Sequence, residues 1–278
     1  MKEIIINSRI KKQFLPGFGL TFGYSIFYLS IILVIPLSTI FIKTSSISWD
    51  KFINIVTDTQ VISAYKISFF TSLTAAFINS LFGFLIAWVL VRYNFPLKKF
   101  IDSLVDLPFA LPTAVAGISL TTIFSSNGTI GKYLQAVGIQ VVYTKIGIII
   151  ALTFISLPFV VRTIQPVLVE FDSAIEEAAV TFKATRMQIF FKIILPETKG
   201  AIITGFTLAF ARSIGEYGSV VFISGNMPMK TQIAPFLIMT KLEQFDYTGA
   251  TSIAIVLLGI SFILLTIINI LQWKIKRS

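Results

Sequence analysis

Arg212 and Glu216 are the residues best placed to do chemistry in this chain, four apart inside an otherwise apolar stretch. A spacing of four puts both on one face of a helix. A charge at mid-membrane costs about 2.5–3.5 kcal/mol on insertion scales, so such residues turn toward a bundle interior or a water-filled path. Two readings follow. Either the pair satisfies itself and fastens one helix to a neighbour, or Arg212 lines an anion path with its attraction reduced by the adjacent acid. Gly215 and Gly218 flank the acid and leave room for a neighbouring helix or a substrate. Asp102 and Asp106 repeat the spacing of four and read as a wetted helix end. The chain has no Cys and no His, which removes a thiol nucleophile, a disulfide, a Cys-based metal site and the commonest general base. It also lacks a GxxxxGK[ST] loop and a Gly-x-Ser-x-Gly elbow, so it is neither an ATPase nor a serine hydrolase by motif. Binding and movement are left as its chemistry; an enzyme, a resident metal and a cofactor are not expected.

The elements that position these residues are membrane spans. Hydrophobic residues make up 55% of the chain and charged ones 13%, where a soluble domain carries about 25% charge. Six apolar blocks are long enough to predict spans at about 22–42, 67–91, 107–124, 146–161, 201–223 and 248–271. The third is entered through Pro108 and Pro112, and the fourth contains Pro158 and extends toward Val169. Trp88 and Tyr93 read as interface belt residues, and Lys66 as one that snorkels. The expected fold is all-α, a single membrane domain over residues 1–278. The N-terminus is basic and short, without a cleavage site or the composition of a transit peptide, so neither leader is expected. The interrupted stretch between the fifth and sixth spans predicts an interfacial helix. Turns are expected at Asn127-Gly128 and Gly225-Asn226.

Lys and Arg set the orientation. Fifteen lie on the side holding both termini, among them Lys2, Arg9, Lys11, Lys12, Arg92, Lys98, Lys99, Arg162 and Lys183. Six lie opposite: Lys43, Lys51, Lys132, Lys145, Lys230 and Lys241. The termini and the loop of about 170–199 therefore face the cytoplasm, or the stroma of a plastid. The net charge of +10 invites a nucleic-acid partner, but basic residues scattered beside apolar blocks fit a lipid partner instead.

That loop is not a plain connector. Ser173 with Glu176, and Thr185 with Gln188, have capping-box spacing, so two short helices are expected. Pro196 is expected to stop the second. Glu177-Ala178-Ala179, Ala184 and Ile194-Leu195-Pro196 resemble the EAA loop of ATP-binding-cassette importer permeases, with Lys183 where that family has glycine. A lysine there carries strain if its φ is positive. The stretches DLPFALPTAVAGISL, FARSIGEYGSVVFISGN and KLEQFDYTGATSIA look like the T-type permease of sulfate/thiosulfate importers. Molybdate (or tungstate) permeases share the Gly-Glu-aromatic-Gly pattern of Gly215 to Gly218.

The resemblance implies a six-span type I importer permease with a cytoplasmic coupling-helix pair between spans four and five. Its coupling residues would be Glu177, Ala178, Ala179, Lys183, Ala184, Leu195 and Pro196. It implies a second homologous permease, a homodimeric ATPase that binds the ATP, and a sulfate-binding protein on the far side. An ATP-independent anion transporter with Arg212 and Glu216 as a proton-coupled pair is the rival reading. The richness in Ile, Phe, Lys and Asn fits an AT-rich genome, hence a chloroplast membrane or a bacterial inner membrane.

Overall fold

The computed structural model describes residues 18–277, and the described residues are helical wherever they are regular. The basic stretch 1–17, with Lys2, Arg9, Lys11 and Lys12, lies outside them. The chain divides into two units at Ser48 and Trp49. The first holds one helix, α1 (Phe18–Ser45), whose 28 residues carry apolar side chains on every side and bury none of them. A helix apolar all round suits lipid contact.

The second unit begins with α2 (Trp49–Val56) and α3 (Thr59–Arg92). Asp58 caps α3 by accepting from the Gln60 and Val61 amides at 2.8 and 3.3 Å. At 1.5 Å per residue, its 34 residues span about 51 Å. Then follow α4 (Lys98–Val105), α5 (Leu107–Ala110), α6 (Thr113–Phe124) and α7 (Gly131–Ala136). After them come α8 (Lys145–Glu170), α9 (Ser173–Thr181), α10 (Arg186–Ile214), α11 (Val220–Ile223), α12 (Ala234–Glu243) and α13 (Tyr247–Arg277).

The centre of this unit is the packing of α3, α8 and α10, made close by small residues. A Cβ on Gly83 would lie 2.8 Å from Val160 Cγ1, and one on Gly205 would lie 3.0 Å from Val160 Cα. Val160 is thus gripped between two glycines, the small-residue contact that lets helices approach in a membrane. A polar chain ties the same three helices together. Asn79 Nδ2 donates to Ser156 Oγ (2.8 Å) and to the Thr153 carbonyl (3.0 Å). Ser213 Oγ donates to Ser156 Oγ at 3.0 Å. Around the rim, Tyr65 Oη donates to the Ile253 carbonyl at 2.9 Å, and Gln272 bonds Thr204, joining α13 to α3 and α10.

Among the described residues, five helices are long and apolar enough to cross a membrane: α1, α3, α8, α10 and α13. The predicted third span, 107–124, is not one helix. Leu111 and Pro112 are extended (ψ 136° and 132°), because a residue before proline is pushed out of the helical region. The 12 residues of α6 cover only about 18 Å. The segment is held against the rest of the second unit at two places. Asp102 and Asp106 lie beside Arg162, while Leu120 and Phe124 pack with Val142 and Ile148 near the start of α8.

Pro196 does not stop a helix. Phe190–Ile194 forms a π-turn in which the Leu195 amide donates to the Phe190 carbonyl, and the helix continues to Ile214. Proline collides with the carbonyl four residues back. One wide turn moves that carbonyl aside and removes the conflict. Pro36 in α1 follows the same device, with the Ile35 amide on the Ser30 carbonyl. The fifth predicted span, 201–223, likewise differs. Its helix begins at Arg186 and ends at Ile214, with Gly215 as its C-cap. Trp88, expected in an interface belt, is half-buried against Phe84 and Phe190 and is a packing residue.

Candidate functional site

Residues 171–196 form a hairpin with one face sealed and one bare. Asp172 begins α9, accepting from the Ala174 amide at 2.9 Å. The expected box between Ser173 and Glu176 is therefore absent: the preceding aspartate takes the cap, and Glu176 is drawn to Arg92 instead. Thr185 and Gln188 do form their box, with the Thr185 amide donating to Gln188 Oε1 at 2.8 Å and the Gln188 amide to Thr185 Oγ1 at 3.3 Å. Between the helices, Lys183 sits at φ 60°, the left-handed region. Its amide donates to the Val180 carbonyl (2.8 Å), and that of Ala184 to the Ala179 carbonyl (3.0 Å). The turn that glycine favours is thus built with a lysine.

Ala179 and Ala184 pack inward against the main core, and Ile189 is buried there. Leu195 is half-buried and Pro196 exposed. Facing away, Glu177 and Ala178 are exposed, and the Glu177 carboxylate has no polar partner among the described residues. Beside them Val180, Phe182 and Met187 are 61%, 86% and 66% exposed. An unpaired acid among bare apolar side chains is poorly suited to bulk water and well suited to a protein groove.

The second feature is the Arg212–Glu216 pair. Nη1 of Arg212 lies 2.5 Å from Glu216 Oε2, with the arginine 33% and the acid 3% exposed. Glu216 lies past the end of α10 rather than on it. Its Oε1 accepts from the Ser219 amide (2.9 Å) and hydroxyl (3.1 Å), and such local bonding competes with continued helix. The turn it makes packs on α6: a Cβ on Gly218 would meet Thr113 Oγ1 at 2.1 Å, and Gly117 abuts Ser219. Gly218 thus admits a neighbouring helix, whereas Gly215 has open space beside it.

The third feature was not expected. Asp102 and Asp106, with side chains 42% and 47% exposed, are a wetted helix end that is also paired, because Arg162 of α8 binds both. Its Nε and Nη2 reach Asp106 at 2.8 and 2.5 Å, and Nη1 reaches Asp102 Oδ1 at 2.6 Å. Nη1 also donates to Gln165 Oε1 (2.6 Å), and Gln165 Nε2 donates to Asp102 (3.1 Å). Two acids four apart facing an arginine and a glutamine three apart was the available signal, and it required knowing that the two segments meet. Burial raises the Asp102 carboxyl, but hydrogen bonds from Gln165 and Arg162 outweigh it and hold the group below its ordinary value. Groups of three or more metal-ligating side chains do not occur among the described residues.

Known proteins with this architecture place it. Residues 79–277 match the family described as "Binding-protein-dependent transport system inner membrane component". The "Sulfate transport system permease protein CysT" of Salmonella typhimurium is 47% identical over 96% of both chains. The protein of that name from Synechocystis is 48% identical over 89% of this chain and 87% of its own. The "Probable sulfate transport system permease protein cysT" of Chlorokybus atmophyticus is 49% identical over 88% and 86%. Among solved structures, a bacterial alginate ABC transporter aligns with TM-score 0.77 and 18% identity over 94% of this chain and 95% of that one, which speaks to the fold. This chain is a multi-pass membrane permease rather than an enzyme, and it belongs to the family of inner membrane components of binding-protein-dependent transport systems.

Proposed function

We propose that this protein is the translocating subunit of an ATP-driven sulfate (thiosulfate) importer, working beside a second homologous permease. A homodimeric ATPase binds beneath it and holds the ATP, and a sulfate-binding protein delivers substrate from the far side. The whole chain acts as one permease domain, and the broken segment of α5 and α6 supplies the sixth crossing. The observation that carries the coupling is the hairpin: α9 is anchored through Ala179 and Ala184 while Glu177 and Ala178 stand free. Glu177 offers charge-assisted bonds to the ATPase, and Ala178 allows close approach. Substrate class follows from relatives named for sulfate that match nearly the full chain. Their sources, bacterial and algal, fit a bacterial inner membrane or a plastid membrane.

In this reading Arg212 is first a structural partner of Glu216, because the acid is buried and engages the arginine. A third of its side chain is exposed, which leaves it able to meet the second permease or a passing anion.

Uptake of labelled sulfate into proteoliposomes tests the proposal. Uptake is expected only with ATPase, second permease and binding protein all present. Molybdate taken up in preference to sulfate would overturn the substrate, and uptake by this chain alone would overturn the mechanism. Glu177→Lys is expected to abolish both uptake and co-purification of the ATPase, with membrane abundance unchanged.

A further inference from the structure

Arg92, the last residue of α3, meets the coupling hairpin in a sealed contact. Its Nη2 lies 2.5 Å from Glu176 Oε1, and the two side chains are 21% and 26% exposed. Nε and Nη2 of Arg92 and Oε1 of Glu176 are closed off from solvent, and no further hydrogen-bond partner reaches them. Each charge is therefore compensated chiefly by the other. The guanidinium also lies over two rings, 5.3 Å from the Trp88 centroid and 5.5 Å from that of Phe171. Phe190 stands edge-on to both Trp88 and Phe84 at 5.9 Å. Trp88 and Phe84 belong to α3, whereas Phe171 and Phe190 flank the hairpin. The cage is built half from each.

Little else fastens α9. It buries no residue fully, and its inward contacts are those of the small Ala179. Arginine is suited to this place, because it stacks on rings and pairs with a carboxylate at once. It also lies at the C-terminal end of a helix, where a cation is favoured.

We propose that Arg92 is a positioning residue that makes the coupling hairpin and α3 move as one body. A push on α9 is then delivered to the helix carrying Gly83 and Asn79, at the centre of the bundle. The proposal rests on the importer reading given above.

Spin labels at Ser173 and Val89, both exposed, report the hairpin-to-α3 distance in the assembled importer in lipid nanodiscs. The unaltered chain is expected to give one narrow distribution that keeps its width when ATP binds. Arg92→Gln is expected to broaden it, and Glu176→Gln, which removes the charge and keeps the shape of the side chain, to do the same. Sulfate moved per ATP hydrolysed is expected to fall about tenfold, within the range of ordinary coupling factors. ATPase co-purification stays intact, since Glu177 is untouched, and Arg92→Lys restores part of the ratio. Narrow distributions and an unchanged ratio in both glutamine variants would overturn the tether. The label distance needs no sulfate, so an unaltered importer that hydrolyses ATP without moving sulfate defeats the substrate reading and leaves the tether to be judged on distance.

Discussion

Lys183 shows how one side chain can be wrong for its backbone and still be tolerated. A left-handed conformation costs a non-glycine residue about 1–2 kcal/mol, and here two amide bonds hold Lys183 in it. Lys183→Gly is expected to slow exchange of the Lys183 and Ala184 amides by about threefold to fivefold, the worth of somewhat under 1 kcal/mol of local opening after glycine's own entropy is counted. Hydrogen exchange of the chain in detergent reads this directly, and faster exchange would show that the lysine relieves strain through contacts of its own. The Arg212–Glu216 pair obeys a different balance. Glu216 is 3% exposed, so Arg212→Ala strands a carboxylate in the bundle, a loss of about 3–5 kcal/mol for a broken buried pair. Glu216→Gln keeps an acceptor for Ser219 and leaves the arginine, one-third exposed, able to find water. Abundance in membranes is expected to fall strongly for Arg212→Ala and mildly for Glu216→Gln. Full abundance of Arg212→Ala with lost uptake would make the arginine a path residue instead.

The anchoring of α4 to α8 by Arg162 is the clearest case of an element whose place was hidden in the sequence. The acids at Asp102 and Asp106 were visible, and so was the arginine, but their meeting depends on Leu97 turning the chain at φ 63° so that α4 folds back along α8. The same holds for the helix ends. Thr185 and Gln188 were readable as a cap because both partners are local, whereas Ser173 lost its role to Asp172 and Glu176 to a residue 84 positions away. Pro196 misled for a related reason: proline forbids the α-pattern, and the π-turn before it answers the prohibition without ending the helix. The five long apolar helices and the Thr185 cap of the hairpin were legible, since apolar length and local spacing carry them; the break in 107–124 and the pairings between elements were not. The anchor also has a pH dependence. Because the folded Asp102 carboxyl sits below its ordinary value of 3.8, the contact is at full strength above that value and is lost as pH falls through the lower folded one. Amide exchange across α4, corrected for its intrinsic pH dependence, is expected to be flat from about pH 8 to 5 and to rise only below the ordinary carboxyl range. Arg162→Met removes the anchor at every pH. If α4 in that variant exchanges no faster at pH 7, the three-residue cluster does not hold it.

The path of the whole chain through the membrane turns on α4 to α6. With five long apolar helices alone, the two termini would face opposite sides, and the distribution of Lys and Arg would no longer sort by side. If the broken segment crosses, both termini and the hairpin share the basic side, and Arg162 holds its cytoplasmic end against α8. A chain with a break at Leu111 and Pro112 can cross only where neighbouring protein shields its freed backbone groups. Protein covers one side of α6, where Gly117 and Gly218 bring it against the turn after α10, whereas Ala110 and Pro112 at the break are exposed and a crossing would need a partner chain to cover them. Because the chain has no cysteine, single-cysteine reporters can be placed without first building a cysteine-free parent. Tyr133 and Tyr93, 67% and 56% exposed, flank the segment and lie on opposite sides in the crossing arrangement and on the same side without it. Tyr133→Cys is expected to react with a membrane-impermeant maleimide in intact cells or right-side-out vesicles, and Tyr93→Cys only after permeabilisation. Equal protection of the two until permeabilisation would mean that α4 to α6 return to the side they left, and the hairpin, one crossing further on, could not then face a cytoplasmic ATPase.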